Sequence, residues 1–186
     1  MKRFYLISFI TVIGSVAAIA APVDSPDREA KYLEAVQTFA DNVLEHGRDR
    51  LGPKHTPLLI DGINVDTHGP TIWRRNGEEW VLSNLASQQV LFRTLVGLTN
   101  LTGDPQYKQA AVEATRYAFD NLRSPNGLLH WGGHWCYDAL HETGVGEAYR
   151  HELKSNYPFY EFMWEVDPDA TKRFLEAFWA AHILDW

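Results

Sequence analysis

The chain has 186 residues, of which 17 are Lys or Arg and 24 are Asp or Glu, so its formal charge is −7. This acidic balance argues against nucleic acid as a partner, because phosphate contacts need clustered basic side chains. It leaves room for an anionic sugar polymer, which needs only a locally basic cleft. Cys136 is the only cysteine, so no intramolecular disulfide can form and the fold depends on its hydrophobic core.

The N-terminus has the pattern of a removable export signal. Lys2 and Arg3 precede an almost wholly apolar run from Phe4 to Ala20, which closes on the small-x-small pattern Ala18-Ile19-Ala20. We therefore interpret 1–20 as a signal peptide rather than a membrane anchor, and 21–186 as an exported mature chain, periplasmic or extracellular. The mature part is long enough for one domain.

Helix-start signals and apolar periodicity predict an all-α fold built from helical hairpins. Asp104-Pro105 and Asp167-Pro168 each combine a capping aspartate with a first-turn proline. Tyr107, Ala111, Ala114 and Ala118 form a small-residue stripe that lets a neighbouring helix approach closely. Five helices are predicted. The first starts at Ser25 and ends at Gly52-Pro53, and the second runs from Ser83 to Thr102. The third starts at Asp104, the fourth runs from His151 to Val166 with a break near Pro158, and the fifth starts at Asp167.

Residues 53–82 have no helical period and are predicted to form a functional loop. Asn76-Gly77 lies midway between Trp73 and Trp80, which favours a small β-hairpin. Charged and aromatic side chains of this kind suit a carbohydrate cleft, since basic groups bind carboxylates and aromatic rings stack on sugars. Each residue alone would be an ordinary surface side chain. The predicted substrate-binding residues of this loop are Lys54, Asp61, Asp66, Trp73 and Arg74.

A second candidate region, 127–152, concentrates four histidines on a glycine-bearing aromatic segment, with Glu142 and Glu152 as possible carboxylate partners. Such a cluster suits a metal or an acid–base site. His134 follows two glycines, so a ligand could approach it closely, although it could equally be a loop histidine bonded to a carbonyl. Glu152 is an oxygen-ligand candidate or a helix first-turn glutamate. His130 is interpreted as a packing residue beside Trp131.

Several enzyme classes lack their signatures in this chain. His141-Glu142 and His151-Glu152 do not have the spacing of two zinc-binding histidines on one helix turn. A serine-hydrolase elbow, a phosphate-binding loop and a dinucleotide fingerprint are also missing from the sequence. Zinc proteases, serine hydrolases and nucleotide-dependent enzymes are therefore disfavoured.

Motifs along nearly the whole mature chain resemble those of pectate lyases of polysaccharide lyase family 2. The motifs that carry the resemblance are His46-Gly47-Arg48-Asp49, His55-Thr56-Pro57-Leu58, 61–67, 83–89, 128–134, His151-Glu152-Leu153-Lys154, 164–168 and 178–182. The resemblance implies an α/α barrel (toroid) of about seven helical hairpins. It also implies β-elimination at the galacturonate 4-O bond, with polygalacturonate or its oligomers as partner and a divalent metal, manganese or calcium, as cofactor.

Carried over to this sequence, the resemblance makes His134 and Glu152 metal ligands and Lys154 a substrate-binding residue. The family's Arg-His pair, which supplies the base and a third ligand, would lie beyond Trp186. We therefore expect an N-terminal portion of a lyase, with an incomplete toroid and a catalytic base outside these residues. Two alternatives stay open: a glycoside hydrolase with Asp61 or Asp66 opposite Glu152, and a non-catalytic sugar-binding fragment.

Overall fold

The computed structural model describes residues 26–132, 135–146 and 157–183, so the predicted signal peptide lies outside the described residues. About half of the described residues are helical, which confirms a mainly helical fold. The helices are α1 (Pro26–His46), α2 (Gln89–Thr102), α3 (Pro105–Asn121), α4 (Tyr160–Val166) and α5 (Pro168–His182). The strands are β1 (Trp73–Arg75), β2 (Glu78–Trp80), β3 (Leu82–Ser83), β4 (Trp135–Asp138) and β5 (Thr143–Gly146). Within these three ranges, no helix is both long and apolar enough to span a membrane.

Helix α1 begins at Pro26 as predicted, but the prediction that it ends at Gly52-Pro53 is wrong. It ends at His46, and the backbone that follows pairs with a distant segment: Asp49 N–H donates to Leu58 O (2.9 Å) and Ile60 N–H donates to Gly47 O (2.8 Å). These long-range hydrogen bonds offset the loss of helical ones. They also bring the buried Leu58 and Leu59 into the core.

The apolar face predicted for α1 is only partly used. Ala40 and Leu44 are buried, whereas Tyr32 and Phe39 are 61% and 53% exposed. Phe39 instead borders a mostly apolar groove of about 580 Å³ between α1, the loop 60–68 and the start of α2.

The α2–α3 hairpin forms as predicted around Gly103 and Asp104. Gly103 has φ +77° and donates its N–H to Thr99 O, so it caps α2 in the left-handed conformation that glycine adopts without strain. Asp104 accepts a hydrogen bond from Gln106 N–H (3.0 Å) and caps α3. The small-residue stripe of α3 is buried, including Ala111, Ala114 and Ala118 at 0% exposure.

The predicted start of α2 at Ser83 is wrong, since the helix begins at Gln89. Leu82 and Ser83 form strand β3, which pairs with Asp138 and Tyr137 of β4. Strand β4 also pairs with β5, giving a three-stranded antiparallel sheet in the order β3-β4-β5. This sheet was not predicted. It matters for function because β4 begins one residue after His134.

The last two helices meet at Asp167, which closes α4 and caps α5 by accepting a hydrogen bond from Ala170 N–H (2.8 Å). The predicted start at Asp167-Pro168 is therefore confirmed. The helix predicted from His151 to Val166 is described only from residue 157, and 157–159 are not helical, so α4 begins after the Pro158 break. Phe162, Met163 and Phe174 are buried in the core.

The predicted hairpin between Trp73 and Trp80 is confirmed. Strands β1 and β2 pair antiparallel with Trp73 opposite Trp80 and Arg75 opposite Glu78. Asn76 and Gly77 form the two-residue turn with φ of +54° and +86°, the backbone that favours an Asn-Gly sequence in tight hairpins.

Candidate functional site

The predicted ligands His134 and Glu152, and the predicted substrate-binding residue Lys154, lie outside the described residues. The structure does describe the residues that lead into and out of their segments. Gly132 and Trp135 flank 133–134, whereas Gly146 and Tyr157 flank 147–156. These four flanking residues and the groups that hold them define what this part of the fold can position.

Gly132 is held by the side-chain amide of Asn84 on both of its backbone polar groups. Asn84 Nδ2–H donates to Gly132 O (3.0 Å), and Gly132 N–H donates to Asn84 Oδ1 (3.2 Å). Asn84 is only 6% exposed. Gly132 has φ +91°, so its left-handed backbone favours glycine at the entry to 133–134. The pair of bonds fixes both the position and the orientation of that peptide.

Trp135, on the other side of 133–134, is held by the sheet. It is the first residue of β4 and lies opposite Gly146, the last residue of β5. Because β4 also pairs with β3, the chain from Leu82 to Asn84 holds β4 through strand pairing and Gly132 through the amide. The residue that follows 133–134 is therefore paired with the residue that precedes 147–156.

Two side chains of α2 hold Pro158 and Phe159, which follow 147–156 in the chain. Gln89, which is 1% exposed, accepts a hydrogen bond from Phe159 N–H at Oε1 (2.8 Å). Arg93 donates from Nη2 to Pro158 O (2.8 Å), and its guanidinium lies over the Phe159 ring, 4.7 Å from the centroid. Such a cation–π contact adds to the hydrogen bonds.

His130 packs in the same region, as predicted, but against Trp135: the two rings meet edge to face with centroids 5.0 Å apart. Burial lowers the pKa of His130 to about 4, so its imidazole is neutral at neutral pH. Its Nδ1 is buried without a hydrogen-bond partner among the described residues. Trp131 instead packs on Phe174 of α5, with centroids 5.4 Å apart.

Asp61, predicted to bind substrate, is exposed and also holds the backbone that leads into α2. Its Oδ1 accepts hydrogen bonds from Asn84 N–H (2.8 Å) and from Gln88 Nε2–H (3.2 Å), and its own N–H donates to Leu82 O. The Asp61 side chain thus fixes the backbone of the residue that holds Gly132. Asp61 also borders the groove between α1 and the loop 60–68.

The other predicted substrate-binding residues of the long loop occupy different places. Lys54 is exposed and forms an ion pair with Glu142 of the β4–β5 turn (3.6 Å). Asp66 is an exposed loop residue whose N–H donates to Asn64 Oδ1. Trp73 is 56% exposed on the hairpin, where Arg74 Nε–H donates to Glu79 (2.7 Å). Exposure leaves Trp73 free to stack on a ligand.

Glu142, one of the two glutamates of the predicted cluster, has a structural role. Its carboxylate accepts a hydrogen bond from Lys54 N–H (2.5 Å) and its side chain is only 12% exposed. A Cβ at Gly52 would overlap the Glu142 side chain in this position, so a larger residue there would displace the carboxylate. The contacts between Lys54 and Glu142 hold the segment 50–54 against the β4–β5 turn.

A carboxylate–histidine pair at the other end of β4 was not predicted. Asp138, which is 0% exposed, accepts hydrogen bonds at Oδ1 from Val81 N–H and Leu140 N–H (both 3.0 Å). Its Oδ2 lies 2.5 Å from Nδ1 of the exposed His141. The three-residue spacing of Asp138 and His141 was the available signal, but it is too common in turns to single out a site.

The predicted metal ligands have the right chemistry for a first-row divalent ion. One imidazole and one carboxylate are the donors that manganese accepts, whereas calcium prefers oxygen ligands alone. Within the described ranges, no group of three His, Cys, Asp or Glu side chains is placed to hold an ion. His134 and Glu152 lie outside these ranges, so a metal site built on them stays a prediction.

Comparison with known proteins identifies the family. Residues 56–186 match the model of a family described as periplasmic pectate lyase. A pectate disaccharide-lyase from Dickeya dadantii (strain 3937) is 34% identical over 161 residues, which are 84% of this chain and 29% of the relative. The chain thus spans less than a third of that relative's length, consistent with the expectation that it corresponds to part of a lyase. The family description agrees with the predicted export, and the chain belongs to the periplasmic pectate lyase family.

Proposed function

We propose that this chain provides the N-terminal part of a pectate lyase that cleaves polygalacturonate by β-elimination at the 4-O bond. Family membership over residues 56–186 carries the proposal. The described contacts are compatible with it, because Trp135, which follows 133–134, pairs with Gly146, which precedes 147–156. The helical hairpins α2–α3 and α4–α5 are suitable units of an α/α toroid.

In this proposal, His134 and Glu152 would hold a divalent ion. The chemistry that the ion would supply is neutralisation of the uronate carboxylate's charge, which makes the C5 proton of the sugar more acidic. Lys154 and Lys54 add positive charge for the polyanion, and Trp73 offers a face for a sugar ring. The catalytic base is not assigned to any residue of this chain.

Two observations bear on the glycoside-hydrolase alternative. Asp61 is exposed, and its Oδ1 accepts hydrogen bonds from Asn84 N–H and Gln88 Nε2–H. Asp66 is exposed as well, and a hydrolase would need it at a fixed distance from Glu152. Both carboxylates stay candidates, and family membership over residues 56–186 is what favours elimination.

The test is formation of an ultraviolet-absorbing unsaturated product from polygalacturonate, with added manganese or calcium and with a chelator as control. We expect metal-dependent absorbance if these residues contain a complete site. Binding of polygalacturonate without absorbance would support a sugar-binding portion of a lyase that lacks the base. Release of saturated reducing ends without absorbance would identify a hydrolase and contradict the proposal.

Replacing Trp73 with alanine tests the sugar-binding surface. Loss of one exposed stacking face should weaken polygalacturonate binding about threefold to tenfold, since an aromatic contact contributes roughly 0.5–1.5 kcal/mol. Trp164 of α4 is similarly exposed, at 50% against 56%, and Trp164→Ala is the matched control. Isothermal titration should show a loss of affinity in the Trp73 variant only. Equal losses in both variants would argue against a binding role for Trp73.

A further inference from the structure

We propose that one face of the β1–β2 hairpin is a binding subsite for an anionic sugar ring. In this subsite Arg75 binds the sugar carboxylate, and Trp73 and Trp80 provide the surface on which the ring stacks. The subsite rests on the proposed function for its class of ligand, an oligogalacturonate. Arg75 and Trp80 are not among the residues that the sequence predicts to bind substrate, and Arg75 takes the place that the prediction gives to Arg74.

The register of the hairpin divides its side chains between two faces. Directly opposed residues share a face, and successive residues of a strand alternate between faces. One face therefore carries two cross-strand pairs, Trp73–Trp80 and Arg75–Glu78. The other face carries the pair Arg74–Glu79. The Asn76-Gly77 turn, with both residues at positive φ, is the two-residue type that fixes such a register.

The two arginines of β1 differ in whether their charge is already paired. Arg74 Nε–H donates to Glu79 Oε1 (2.7 Å), so this guanidinium has a carboxylate partner on its own face. Arg75 is exposed, and within the described ranges its guanidinium has no ion-pair or hydrogen-bond partner. A guanidinium in that state can bind an incoming carboxylate with two parallel hydrogen bonds.

The two tryptophans place an aromatic surface beside this cation. Trp73 is 56% exposed and Trp80 is partly exposed. Directly opposed Cβ atoms in an antiparallel pair are only about 4.5–5.5 Å apart, so the two indoles are neighbours. Trp80 also lines a cleft of about 510 Å³ between the hairpin and the β4–β5 strands. The aromatic surface therefore extends from the exposed side of the hairpin into the cleft.

A uronate ring matches this face because it combines a ring with a single carboxylate. A neutral sugar could use the two tryptophans but not Arg75, and an acidic peptide could use Arg75 but not the stacking surface. Glu78, which lies opposite Arg75, leaves the face without net charge. Recognition would therefore depend on the directed contact with Arg75 more than on general attraction of anions, and the Glu78 carboxylate would weaken binding.

The test measures affinity for a galacturonate tetramer by isothermal titration, with a chelator present so that no metal contributes. Arg75→Gln should weaken binding about fivefold to tenfold, since a charge-assisted contact at an exposed site keeps only part of its strength. Arg74→Gln is the matched control: it removes the same charge from the opposite face and should change affinity less than about twofold. Glu78→Gln should strengthen binding about twofold.

Two further ligands separate the parts of the subsite. A neutral galactose oligomer of equal length should bind more weakly than the galacturonate tetramer and with the same affinity to wild type and Arg75→Gln. A glutamate tetramer should bind weakly and be insensitive to Trp73→Ala. In nuclear magnetic resonance spectra of the wild-type chain, the galacturonate tetramer should shift the indole N–H signals of Trp73 and Trp80. The signal of Trp164, which is exposed on α4, should not move.

Equal losses in Arg74→Gln and Arg75→Gln would reduce the effect to net charge and overturn the subsite. A wild-type chain that does not bind the tetramer, or whose Trp73 and Trp80 signals do not shift, would overturn it as well. Failure of the lyase proposal looks different. Binding that depends on Arg75 without any unsaturated product leaves the subsite standing, whereas product formation with unchanged affinity in Arg75→Gln removes the subsite and leaves the lyase.

Discussion

Replacing Asp138 with alanine is expected to lower the free energy of unfolding by about 3 kcal/mol. The carboxylate is fully buried and accepts hydrogen bonds from Val81 N–H and Leu140 N–H. Alanine leaves these donors without their acceptor, and each buried unsatisfied group costs about 1–3 kcal/mol. The bond to Val81 matters most, since Val81 is 2% exposed and leads into the strand that pairs with β4.

Two further variants separate the roles of the carboxylate. Asp138→Asn keeps an oxygen for the two backbone donors and changes only the contact with His141, so it should cost about 1 kcal/mol. His141→Ala removes an exposed partner and should cost less than about 1 kcal/mol. Urea unfolding of the three variants gives the order. If His141→Ala cost as much as Asp138→Ala, the carboxylate would stabilise the fold mainly through the histidine, contrary to our interpretation.

The parts of the fold that depend on contacts between residues close in sequence could be predicted from the sequence. Asp104 and Asp167 cap their helices through hydrogen bonds to residues two or three positions away, and Asn76-Gly77 forms a turn that requires positive φ. The buried alanines of α3 were recognisable by their spacing. Each of these features depends on fewer than about two helical turns of sequence, which a single sequence displays.

Features that depend on distant pairing were not predictable in the same way. Strand β3 replaces the first turns of the predicted helix because Leu82 pairs with Asp138, which lies 56 positions further along the chain. Helix α1 stops early because 47–49 pair with 58–60. Neither pairing leaves a pattern in the sequence, since two-residue strands are too short to show alternation.

The candidate site shows the same division. The sequence predicts His134 and Glu152 as metal ligands through motifs and Trp73 as a binding residue through an aromatic hairpin, and these stay predictions. It also gives Asp61 a substrate-binding role, and the structure adds that this carboxylate accepts hydrogen bonds from Asn84 N–H and Gln88 Nε2–H. A polar loop residue can bind a ligand or satisfy buried backbone donors, and only the three-dimensional neighbours distinguish the two. The structural roles of Asn84 and Gln89 were not predicted, because amide side chains are common near the start of a helix and their presence there does not indicate a particular contact.

The stability of the chain is expected to fall as the pH decreases from 6.5 towards 4, with His130 as a main cause. Burial lowers the pKa of His130 to about 4 in the folded protein, whereas an unfolded histidine titrates near 6.5. Between these values the unfolded state binds the proton more readily, so acid favours unfolding. The stabilisation is complete above pH 6.5 and lost as the pH falls towards 4.

Comparison of the wild-type chain with His130→Gln isolates this contribution. Between pH 7 and pH 4.5 the wild-type chain should lose about 2 kcal/mol more unfolding free energy than the variant, which has no titrating group at that position. His55→Asn, at an exposed loop residue with positive φ, is the control and should follow the wild type. Urea unfolding at both pH values measures the difference. Parallel losses in wild type and His130→Gln would assign the acid sensitivity to another group, whereas a flatter profile in His130→Gln alone would show that the imidazole beside Trp135 is kept neutral by burial.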